Sequence, residues 1–275
     1  MNKHKNYKKE WFEFMGYKPH TGQLKLHYPE KDSAKFFVMV CGRRFGKTTA
    51  SAMEATYIAS QPNKKIWLVG LSYDKADLMF REVWQKMVIG RANDIERASE
   101  KERYIKFKWG TTIEGKSADN PDSLVGEGLD LLIIDEAAKV KKRIWDMYLS
   151  PCLSDRKGKA IFITTPEGYN WIYKLFLLGK TDPLWESHQA PSWNNQYAFP
   201  DGKKDQFLIE RKRNMSKSCM TRNMQPNLPH LRVECMHLIE LWIWGTSPTT
   251  QTSLHSAQLT LGTECLLLLG FKCIE

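Results

Sequence analysis

The sequence predicts an α/β fold in which a mainly parallel sheet carries helices on both faces. Apolar runs at 66–70 and 129–134 contain at most one polar residue each, which is typical of strands buried on both faces of a parallel sheet. Segments with helical periodicity separate such runs, and repeated strand–helix alternation favours a parallel sheet. Three of the strands are also followed by a loop or by polar residues. These lie at the carboxyl ends of the strands, where an open parallel sheet binds its ligands.

The first half of the chain predicts two helices and then alternating strands and helices. Aromatic residues recur at helical spacing near the start, and Asp74 is suited to cap a helix. The predicted elements are a helix at 10–16, a short helix ending near Pro29, a strand at 38–41, a helix at 49–59, a strand at 66–70 and a helix from Asp74 to about Val88.

The second half continues the alternation after a highly charged stretch at 91–103, which we expect to be exposed. Residues 105–109 alternate in the manner of a strand, and a turn follows them. The further predicted elements are a return strand at 110–115, a loop at 117–128, a strand at 129–134, a short helix at 143–149, a strand at 159–165, and helices at 171–178 and 205–215.

Composition places the chain among ordinary globular proteins, with 42% hydrophobic and 26% charged residues. The charge balance is unusual, because 41 Lys and Arg against 31 Asp and Glu give a net charge of +10. Such a balance suggests a polyanionic partner. A well-solvated basic surface without a specific partner is the alternative.

Cysteine usage and the N-terminus indicate an intracellular protein. The six cysteines show no C-x-x-C spacing and no disulfide framework, which fits a reducing compartment. The basic residues 1–9 have no apolar core behind them, so they do not resemble a signal peptide. No apolar run reaches the length of a membrane span. We therefore expect a soluble protein with no membrane partner.

Composition changes near Lys217, so we expect three segments: an N-terminal helical segment at 1–35, an α/β domain at 36–216 and a tail at 217–275. The tail holds four Lys or Arg, four Glu, no Asp and four of the six cysteines, without persistent periodicity. Its charges cancel, so the excess positive charge belongs to the first 216 residues. We expect a tail that forms no compact domain, as a shifted reading frame would produce. A small cysteine-containing subdomain is the alternative.

Residues 38–49 predict a phosphate-binding loop. A short apolar run ends in a glycine-bracketed loop, followed by a lysine, two hydroxyl residues and a helix-forming segment. In such a loop backbone N–H groups and the helix N-terminus bind phosphates, Lys47 reaches the β and γ oxygens, and Thr48 binds magnesium. Cys41 stands where the usual spacing has a glycine. The residues expected to bind a nucleoside triphosphate here are Gly42, Arg43, Arg44, Phe45, Gly46, Lys47, Thr48 and Thr49.

Two adjacent carboxylates follow the apolar run at 131–134. Because ligands lie beyond the carboxyl ends of parallel strands, we expect Asp135 and Glu136 near the loop. Asp135 is suited to reach a magnesium shell through water, and Glu136 is suited to polarise a water in line with the γ-phosphate. The second carboxylate favours a hydrolase over a P-loop kinase, which must exclude water.

The strand at 159–165 ends in Thr164 and Thr165, followed by Pro166. Their hydroxyls are suited to sense the γ-phosphate, since this strand end lies with the other two. The alternative is that threonines merely suit the end of a strand.

Charged and polar residues near the loop complete the candidate site. Arg43 or Arg44 is suited to stabilise the negative charge that phosphoryl transfer spreads over the γ oxygens. Upstream, Gln23 is suited to pair with the edge of an adenine, and Tyr17 or Pro19 to cover its face. An ordinary N-terminal segment packed on the sheet is the alternative for these three residues.

Four stretches together resemble the large terminase subunits of tailed bacteriophages. Residues 41–49 are similar to that family's arginine-containing Walker A loop, and residues 113–138 are similar to its run into the Walker B acids. Residues 164–166, Thr-Thr-Pro, resemble its coupling motif, and residues 17–23, Tyr-x-Pro-x-x-x-Gln, resemble its adenine motif. The resemblance covers roughly residues 10–215.

This resemblance implies a P-loop NTPase fold of the additional-strand (ASCE, RecA-like) class, with ATP and Mg²⁺ as cofactors. By matching position, the implied roles are Arg43 as the cis-acting arginine, Lys47 and Thr48 as phosphate and magnesium ligands, Asp135 as the Walker B acid, Glu136 as the catalytic base, and Thr164 and Thr165 as the residues that couple hydrolysis to motion. A trans-acting arginine is expected from a neighbouring subunit. The candidates are Arg81, Arg91, Arg97 and Arg103.

The resemblance also implies an ATP-driven motor that pumps double-stranded DNA into a procapsid. Its partners would be the capsid portal, the small terminase subunit and further copies of itself in a ring, in the host cytoplasm and not in the mature virion. The isolated chain is expected to be a monomer with weak hydrolysis, because a ring neighbour completes the site. Its basic face is expected to bind the DNA backbone without reading sequence, so that binding falls with salt.

Members of the family normally continue into an RNase H-like nuclease, whose two metals need several converging carboxylates. Residues 217–275 contain no aspartate and only four glutamates. We therefore expect that this chain does not cut DNA, as a truncated or frame-shifted gene would explain.

Two other functions compete with this interpretation. A superfamily 2-type helicase or other DNA-dependent ATPase shares the glutamine motif, the Walker loop and an Asp-Glu pair, but it needs a second RecA-like domain that residues 217–275 cannot supply. The other is a non-catalytic remnant, either a nucleotide-binding module or a misfolding product whose tail favours aggregation.

Overall fold

A computed structural model of the chain describes residues 3–214. The strands of this part are β1 (Phe36–Cys41), β2 (Lys65–Gly70), β3 (Ile95–Ser99), β4 (Tyr104–Phe107), β5 (Thr112–Ser117), β6 (Leu131–Asp135), β7 (Lys159–Thr164) and β8 (Trp185–Ala190). The helices are α1 (Lys3–Phe14), α2 (Thr21–His27), α3 (Lys47–Ala59), α4 (Tyr73–Trp84), α5 (Lys142–Ile144), α6 (Trp171–Thr181) and α7 (Gln206–Asn214). Short π-helical turns over Gln85–Ile89 and Trp145–Leu149 continue α4 and α5.

The eight strands form one sheet in the order β3-β4-β5-β2-β6-β7-β1-β8. Every pairing from β5 to β8 is parallel, whereas β4 runs antiparallel to both β3 and β5. The predicted parallel-dominated sheet is confirmed. Strand β7 lies between β1 and β6, so an additional strand separates the one that precedes the predicted phosphate loop from the one that precedes the acid pair.

Helices cover both faces of the sheet. Successive residues of a strand point to opposite faces, so the central strands contribute side chains to a core on each side. On one face Met39, Leu68 and Ile133 are buried in a core that they share with α1, α3 and α4. On the other face the ring of Phe162 meets the edge of Trp145 at 4.8 Å and that of Trp171 at 6.1 Å between centroids. The strands of the centre are therefore buried on both sides, as their continuous apolar sequences indicate.

Two strands were not predicted, and both lie at the edges of the sheet. Strand β3 lies within the charged stretch at 91–103, which was expected to be exposed and was not predicted to form a strand. Its residues pair with β4. Strand β8, with the sequence WESHQA, pairs in parallel with β1. An edge strand buries fewer side chains than a central one, so neither segment carries the apolar pattern that identifies a buried strand.

The helix expected to begin at Asp74 begins one residue earlier, at Tyr73. Its N-cap is Ser72, whose side chain makes no capping hydrogen bond. Asp74 lies instead in the first turn, where a carboxylate still interacts favourably with the helix dipole.

A buried ionic network joins the two N-terminal helices to α3. The Lys8 ammonium donates to Glu54 Oε1 at 2.6 Å and to the carbonyl of His27 at 2.7 Å. His27 Nδ1 donates to Glu54 Oε2 at 2.8 Å, and the Tyr17 hydroxyl donates to His27 Nε2 at 3.0 Å. Burial acts to raise the pKa of Glu54, but Lys8 and His27 outweigh it and hold this pKa at about 2.

The predicted boundary between an N-terminal segment at 1–35 and an α/β domain at 36–216 stays a prediction. The expected tail at 217–275 lies outside the described residues. Within residues 3–214, Trp11 and Phe12 of α1 belong to the same core as β1. Among the helices of this part of the chain, none combines the length and the apolar character that crossing a membrane requires.

Replacing Glu54 by Gln should destabilise the protein by about 3–5 kcal/mol, because it leaves the buried Lys8 ammonium without its anionic partner. Urea unfolding of the full chain measures the change. Glu13→Gln is the matched control: Glu13 faces solvent and lies 3.8 Å from Lys9, so its loss should cost less than about 1 kcal/mol. Equal losses in the two variants would show that the network does not support the fold.

Candidate functional site

A cavity of about 470 Å³ lies at the carboxyl ends of β1, β6 and β7. Most of the predicted site residues line it: Arg43, Arg44, Gly46, Lys47, Thr48, Thr49, Asp135, Glu136 and Thr165. Three further residues that the sequence did not single out as ligands complete the lining: Lys75, Leu78 and Lys139. The register of the sheet places these ends together, since β7 pairs in parallel with both β1 and β6.

The loop between β1 and α3 has the backbone of a phosphate-binding site. Arg44 has φ 60° and Gly46 has φ 88°, both in the left-handed region. Glycine is favoured at position 46, because residues with a side chain rarely adopt a φ of 88°. Helix α3 begins directly after it, at Lys47. The first N–H groups of a helix have no partner within it, so this end of α3 attracts an anion.

Lys47 extends across the base of the loop. Its ammonium donates to the carbonyl of Cys41 at 2.9 Å and to that of Gly42 at 3.1 Å. Burial lowers the pKa of Lys47, since the charged form loses its hydration. The side chain is therefore held by neutral carbonyls in a place where an anionic ligand would stabilise its charge.

The loop and the acid pair meet in one hydrogen bond. Thr48 Oγ1 donates to Asp135 Oδ2 at 3.0 Å, and the Glu136 N–H donates to Asp135 Oδ1 at 2.7 Å. Burial and the neighbouring Glu136 charge raise the pKa of Asp135. A hydroxyl beside a carboxylate is a donor set that suits Mg²⁺. Because residues 3–214 contain no group of three His, Cys, Asp or Glu that could hold a metal, water and ligand oxygens would have to complete its coordination.

Glu136 sits at the left-handed turn after β6, with φ 49°. Its Oε2 accepts a hydrogen bond from Thr165 Oγ1 at 3.2 Å and lies 3.7 Å from the Lys139 ammonium. Lys139 also lies 3.8 Å from Glu167, so it bridges two carboxylates, of which only that of Glu136 lines the cavity. Lys139 was not predicted as a site residue, although its position three residues after Glu136 places both on one helical turn.

Thr164 and Thr165 have different surroundings. The Thr164 hydroxyl is buried, donates to the carbonyl of Thr165 at 3.0 Å and accepts from the Ala138 N–H at 3.4 Å. Only Thr165 lines the cavity. The end of β7 is thus tied to the Glu136 side chain through Thr165 and to the turn after β6 through Thr164.

Three loop residues expected to bind nucleotide have other partners. The Phe45 side chain is fully buried and meets the ring of His20 edge-on at 4.8 Å between centroids. Gly42 donates its N–H to the carbonyl of Ala190. Thr49 lines the cavity, but its hydroxyl donates to Glu82. The Phe45 side chain thus fixes the loop to the core and the Gly42 N–H fixes it to β8, whereas nucleotide binding by these three residues stays a prediction.

Gln23 and Tyr17 do not line the cavity. The Gln23 amide donates to the carbonyl of Gly46 at 2.9 Å and accepts from the His20 N–H at 3.1 Å. The Tyr17 hydroxyl belongs to the buried network around His27. These contacts favour the alternative in which the N-terminal segment packs against the loop, and a role in adenine recognition stays a prediction.

The arginines near the site fall into two groups. Arg43 and Arg44 are exposed, and within residues 3–214 their guanidinium groups have no ion pair or hydrogen bond. Each of the four candidates for a trans-acting arginine has an acidic partner: Asp77 for Arg103, Asp94 for Arg91, Glu102 at 2.9 Å for Arg97 and Glu100 at 3.9 Å for Arg81. The side chains of Arg81 and Arg97 are the more exposed, at 64% and 65%, and the identity of the trans-acting arginine stays a prediction.

Comparisons with known proteins agree with this geometry. The family model described as terminase large subunit, T4likevirus-type, N-terminal, matches residues 38–218. The chain is 32% identical over 218 residues to the terminase large subunit of Thermus virus P23-45, covering 67% of this chain and 44% of that protein. It is 29% identical over 181 residues to the terminase large subunit of Escherichia phage T5, covering 65% and 40%. The chain thus spans less than half the length of these curated relatives.

Solved structures show the same fold. The Thermus phage P74-26 large terminase ATPase domain matches with a TM-score of 0.67 and 29% identity, covering 78% of this chain and 96% of that one. The large terminase of another thermophilic bacteriophage, in complex with ATP-γ-S, shares the fold with a TM-score of 0.57 at 15% identity, covering 74% and 51%. This chain therefore belongs to the phage large terminase subunits, and residues 3–214 have the fold of their N-terminal ATPase domain.

Proposed function

We propose that this chain hydrolyses ATP as the ATPase domain of a DNA-packaging motor. The observation that carries the proposal is the hydrogen bond between Thr48 and Asp135, which brings the phosphate-binding loop to the acid pair at one cavity. Lys47 and Glu136 line the same cavity from two different elements of the fold. The Lys47 ammonium is suited to bind the phosphates, and the Glu136 carboxylate is suited to take a proton from water. That arrangement suits attack of water on a terminal phosphate.

The loop and Lys47 bind the triphosphate. Backbone N–H groups at the start of α3 point toward anions, and the Lys47 ammonium exchanges its carbonyl partners for phosphate oxygens. Because burial disfavours the Lys47 charge, a phosphate partner stabilises it more than it would a solvated lysine. Arg43 is exposed at the rim, where its guanidinium can neutralise charge on the γ oxygens.

Thr48 and Asp135 would hold Mg²⁺ in this site. When bound, the ion neutralises charge on the β and γ oxygens of the nucleotide. The two oxygens already lie 3.0 Å apart on separate elements, so the protein contributes a preformed part of the coordination shell.

Glu136 is the base in this mechanism. It accepts a proton from the attacking water as the new bond to phosphorus forms and the ADP oxygen leaves. Its Oε2 is oriented by the Thr165 hydroxyl, which makes Thr165 a positioning residue between the base and β7. Lys139 lies near the same oxygen and competes with water for it.

Adenine recognition is proposed for a groove of about 680 Å³ between α1 and α2. Tyr17, Pro19 and Leu24 line it, and an aromatic or apolar wall suits the face of a base. Gln23, which precedes Leu24 in α2, donates to the loop carbonyl of Gly46, although the groove and the phosphate-binding cavity share no lining residue.

The packaging role extends the proposal to partners. We propose that a ring of copies docks on the capsid portal in the host cytoplasm, absent from the mature virion, with the small terminase subunit and double-stranded DNA as partners. The isolated chain is a monomer with weak activity, because a neighbour's arginine completes the site. A net charge of +10 supports binding to the DNA backbone. We propose that residues 217–275 do not supply a nuclease site, because this segment contains no aspartate to hold a pair of metals.

Glu136→Gln should lower kcat for ATP hydrolysis by about 10²-fold or more while ADP binding is unchanged, because the amide cannot accept the proton of water. Phosphate release with and without DNA measures the first, and a calorimetric ADP titration the second. Glu167→Gln is the matched control, since that carboxylate also contacts Lys139 but does not line the cavity. If wild type and Glu136→Gln both bind ATP and are equally inactive, the chain is a non-catalytic nucleotide-binding module.

Lys47→Ala should weaken ATP binding by about tenfold or more, because a charged hydrogen-bond donor to the phosphates is lost. Lys75→Ala changes a lysine that lines the same cavity from α4 and should have a smaller effect. Titration of a fluorescent ATP analogue compares them, with thermal unfolding as a check on the fold. Unchanged affinity in Lys47→Ala would mean that the phosphates bind elsewhere.

Duplex DNA of unrelated sequences should bind with equal affinity, and the logarithm of the affinity should fall linearly with the logarithm of salt concentration. Fluorescence anisotropy at several salt concentrations measures both. Strong preference for one sequence would contradict a packaging motor, and ATP-dependent strand separation would favour a helicase instead.

A further inference from the structure

Three consecutive carbonyls of the phosphate-binding loop accept hydrogen bonds from side chains outside it. Asn195 Nδ2 donates to the carbonyl of Arg44 at 2.7 Å, and His20 Nε2 donates to that of Phe45 at 2.8 Å. Gln23 Nε2 donates to the carbonyl of Gly46 at 2.9 Å. In a trans peptide the N–H of the next residue points opposite to the carbonyl. Holding these carbonyls on the outside therefore directs the N–H groups of residues 45–47 to the inside of the loop.

The loop needs such support because its backbone is strained. Arg44 adopts a left-handed φ of 60°, which a residue with a side chain rarely occupies. Conformations of this kind persist where surrounding structure holds them. The hydrogen bond from Asn195 reaches the carbonyl of Arg44 itself.

The donor groups of His20 and Asn195 are fixed in turn. His20 Nδ1 accepts the N–H of Gly22 at 3.2 Å, so the ring proton lies on Nε2 and faces Phe45. Asn195 Oδ1 accepts the N–H groups of Tyr197 at 3.1 Å and Ala198 at 3.3 Å, so its NH₂ group faces Arg44. These accepted hydrogen bonds fix the orientation of the His20 ring and of the Asn195 amide.

Asn195 also connects the loop to the last described helix. The Phe199 N–H donates to the Asn195 carbonyl at 2.9 Å. Phe199 is buried against Leu208, which belongs to α7, and Trp193 packs against this pair. The turn that presents Asn195 is thus anchored by its own small core.

We propose that His20 and Asn195 are positioning residues of the nucleotide site, which hold the phosphate-binding loop with its N–H groups inward before a ligand arrives. Neither residue lines the cavity, so they act through the loop. The effect on affinity rests on the proposed function, whereas the effect on the loop itself does not. Preorganising a site in its binding shape raises affinity because less ordering is needed on binding.

Asn195→Asp is the decisive variant, because it keeps the acceptor that forms the turn and removes the donor to Arg44. We expect the affinity for Mg-ADP to fall by about tenfold. We also expect faster amide hydrogen exchange at residues 44–47 in the nucleotide-free full chain, with the thermal midpoint close to that of wild type. Asn194→Asp is the matched control: it places the same charge on an exposed neighbour and should change neither quantity.

His20→Asn tests the second contact. Asparagine is a good N-cap, so α2 is retained, but it is too short to reach the carbonyl of Phe45. A weaker affinity for Mg-ADP and faster exchange at residue 46 are expected here as well.

The outcomes separate the two proposals. If wild type does not bind Mg-ADP, the proposed function fails, and loop exchange in Asn195→Asp still decides whether the contact orders the loop. If wild type binds and both aspartate variants match it in affinity and exchange, the positioning role is wrong while the ATPase proposal stands. A fall in affinity that is matched by an equal loss of global stability would also overturn the positioning role, because a structural residue would suffice.

Discussion

The hydrogen bond from Thr48 to Asp135 is the contact on which the rest of the site depends. It joins residues 87 positions apart: Thr48 lies in the first turn of α3, which follows β1 and the loop, and Asp135 is the last residue of β6. Strand β7 lies between β1 and β6. Formation of the hydrogen bond requires β1, β7 and β6 to pair in one register, in which Val40 lies beside Thr164 and Asp135 beside Ile163. A slip of one residue would turn Asp135 to the other face of the sheet, so the buried apolar strands fix the chemistry by fixing their own alignment.

Burial gives the site its electrostatic character. It raises the pKa of Asp135 and lowers that of Lys47, so both charged forms lack the stabilisation that water would supply. Hydrogen bonds from Thr48 and to the carbonyls of Cys41 and Gly42 make up part of that loss. A phosphate and a divalent cation would supply the remainder, one for each sign of charge. A site of this kind is more stable with its ligand than without it.

The strands that the sequence predicts are those with a regular apolar pattern, which is continuous in β2 and β6 and alternating in β4. Central strands such as β2 and β6 are apolar throughout because helices cover them on both faces, and this pattern identifies them without any tertiary information. Strands β3 and β8 lie at the edges, where pairing with a neighbour rather than burial decides the conformation. Their sequences are mixed, so only the presence of β4 and β1 beside them makes them strands.

The sequence by itself determined which residues are candidates for the site, because the spacing of Lys47 and Thr48 within a glycine-bracketed loop and the pairing of Asp135 with Glu136 after an apolar run are local patterns. Only the tertiary structure decided which neighbouring groups line the cavity and which hold the loop in place. It places Phe45 in the core, commits Gln23 to a loop carbonyl and brings Asn195 to Arg44 across 151 positions of sequence. A hydrogen bond depends on the distance and direction between two groups, and packing sets both for residues that are far apart along the chain.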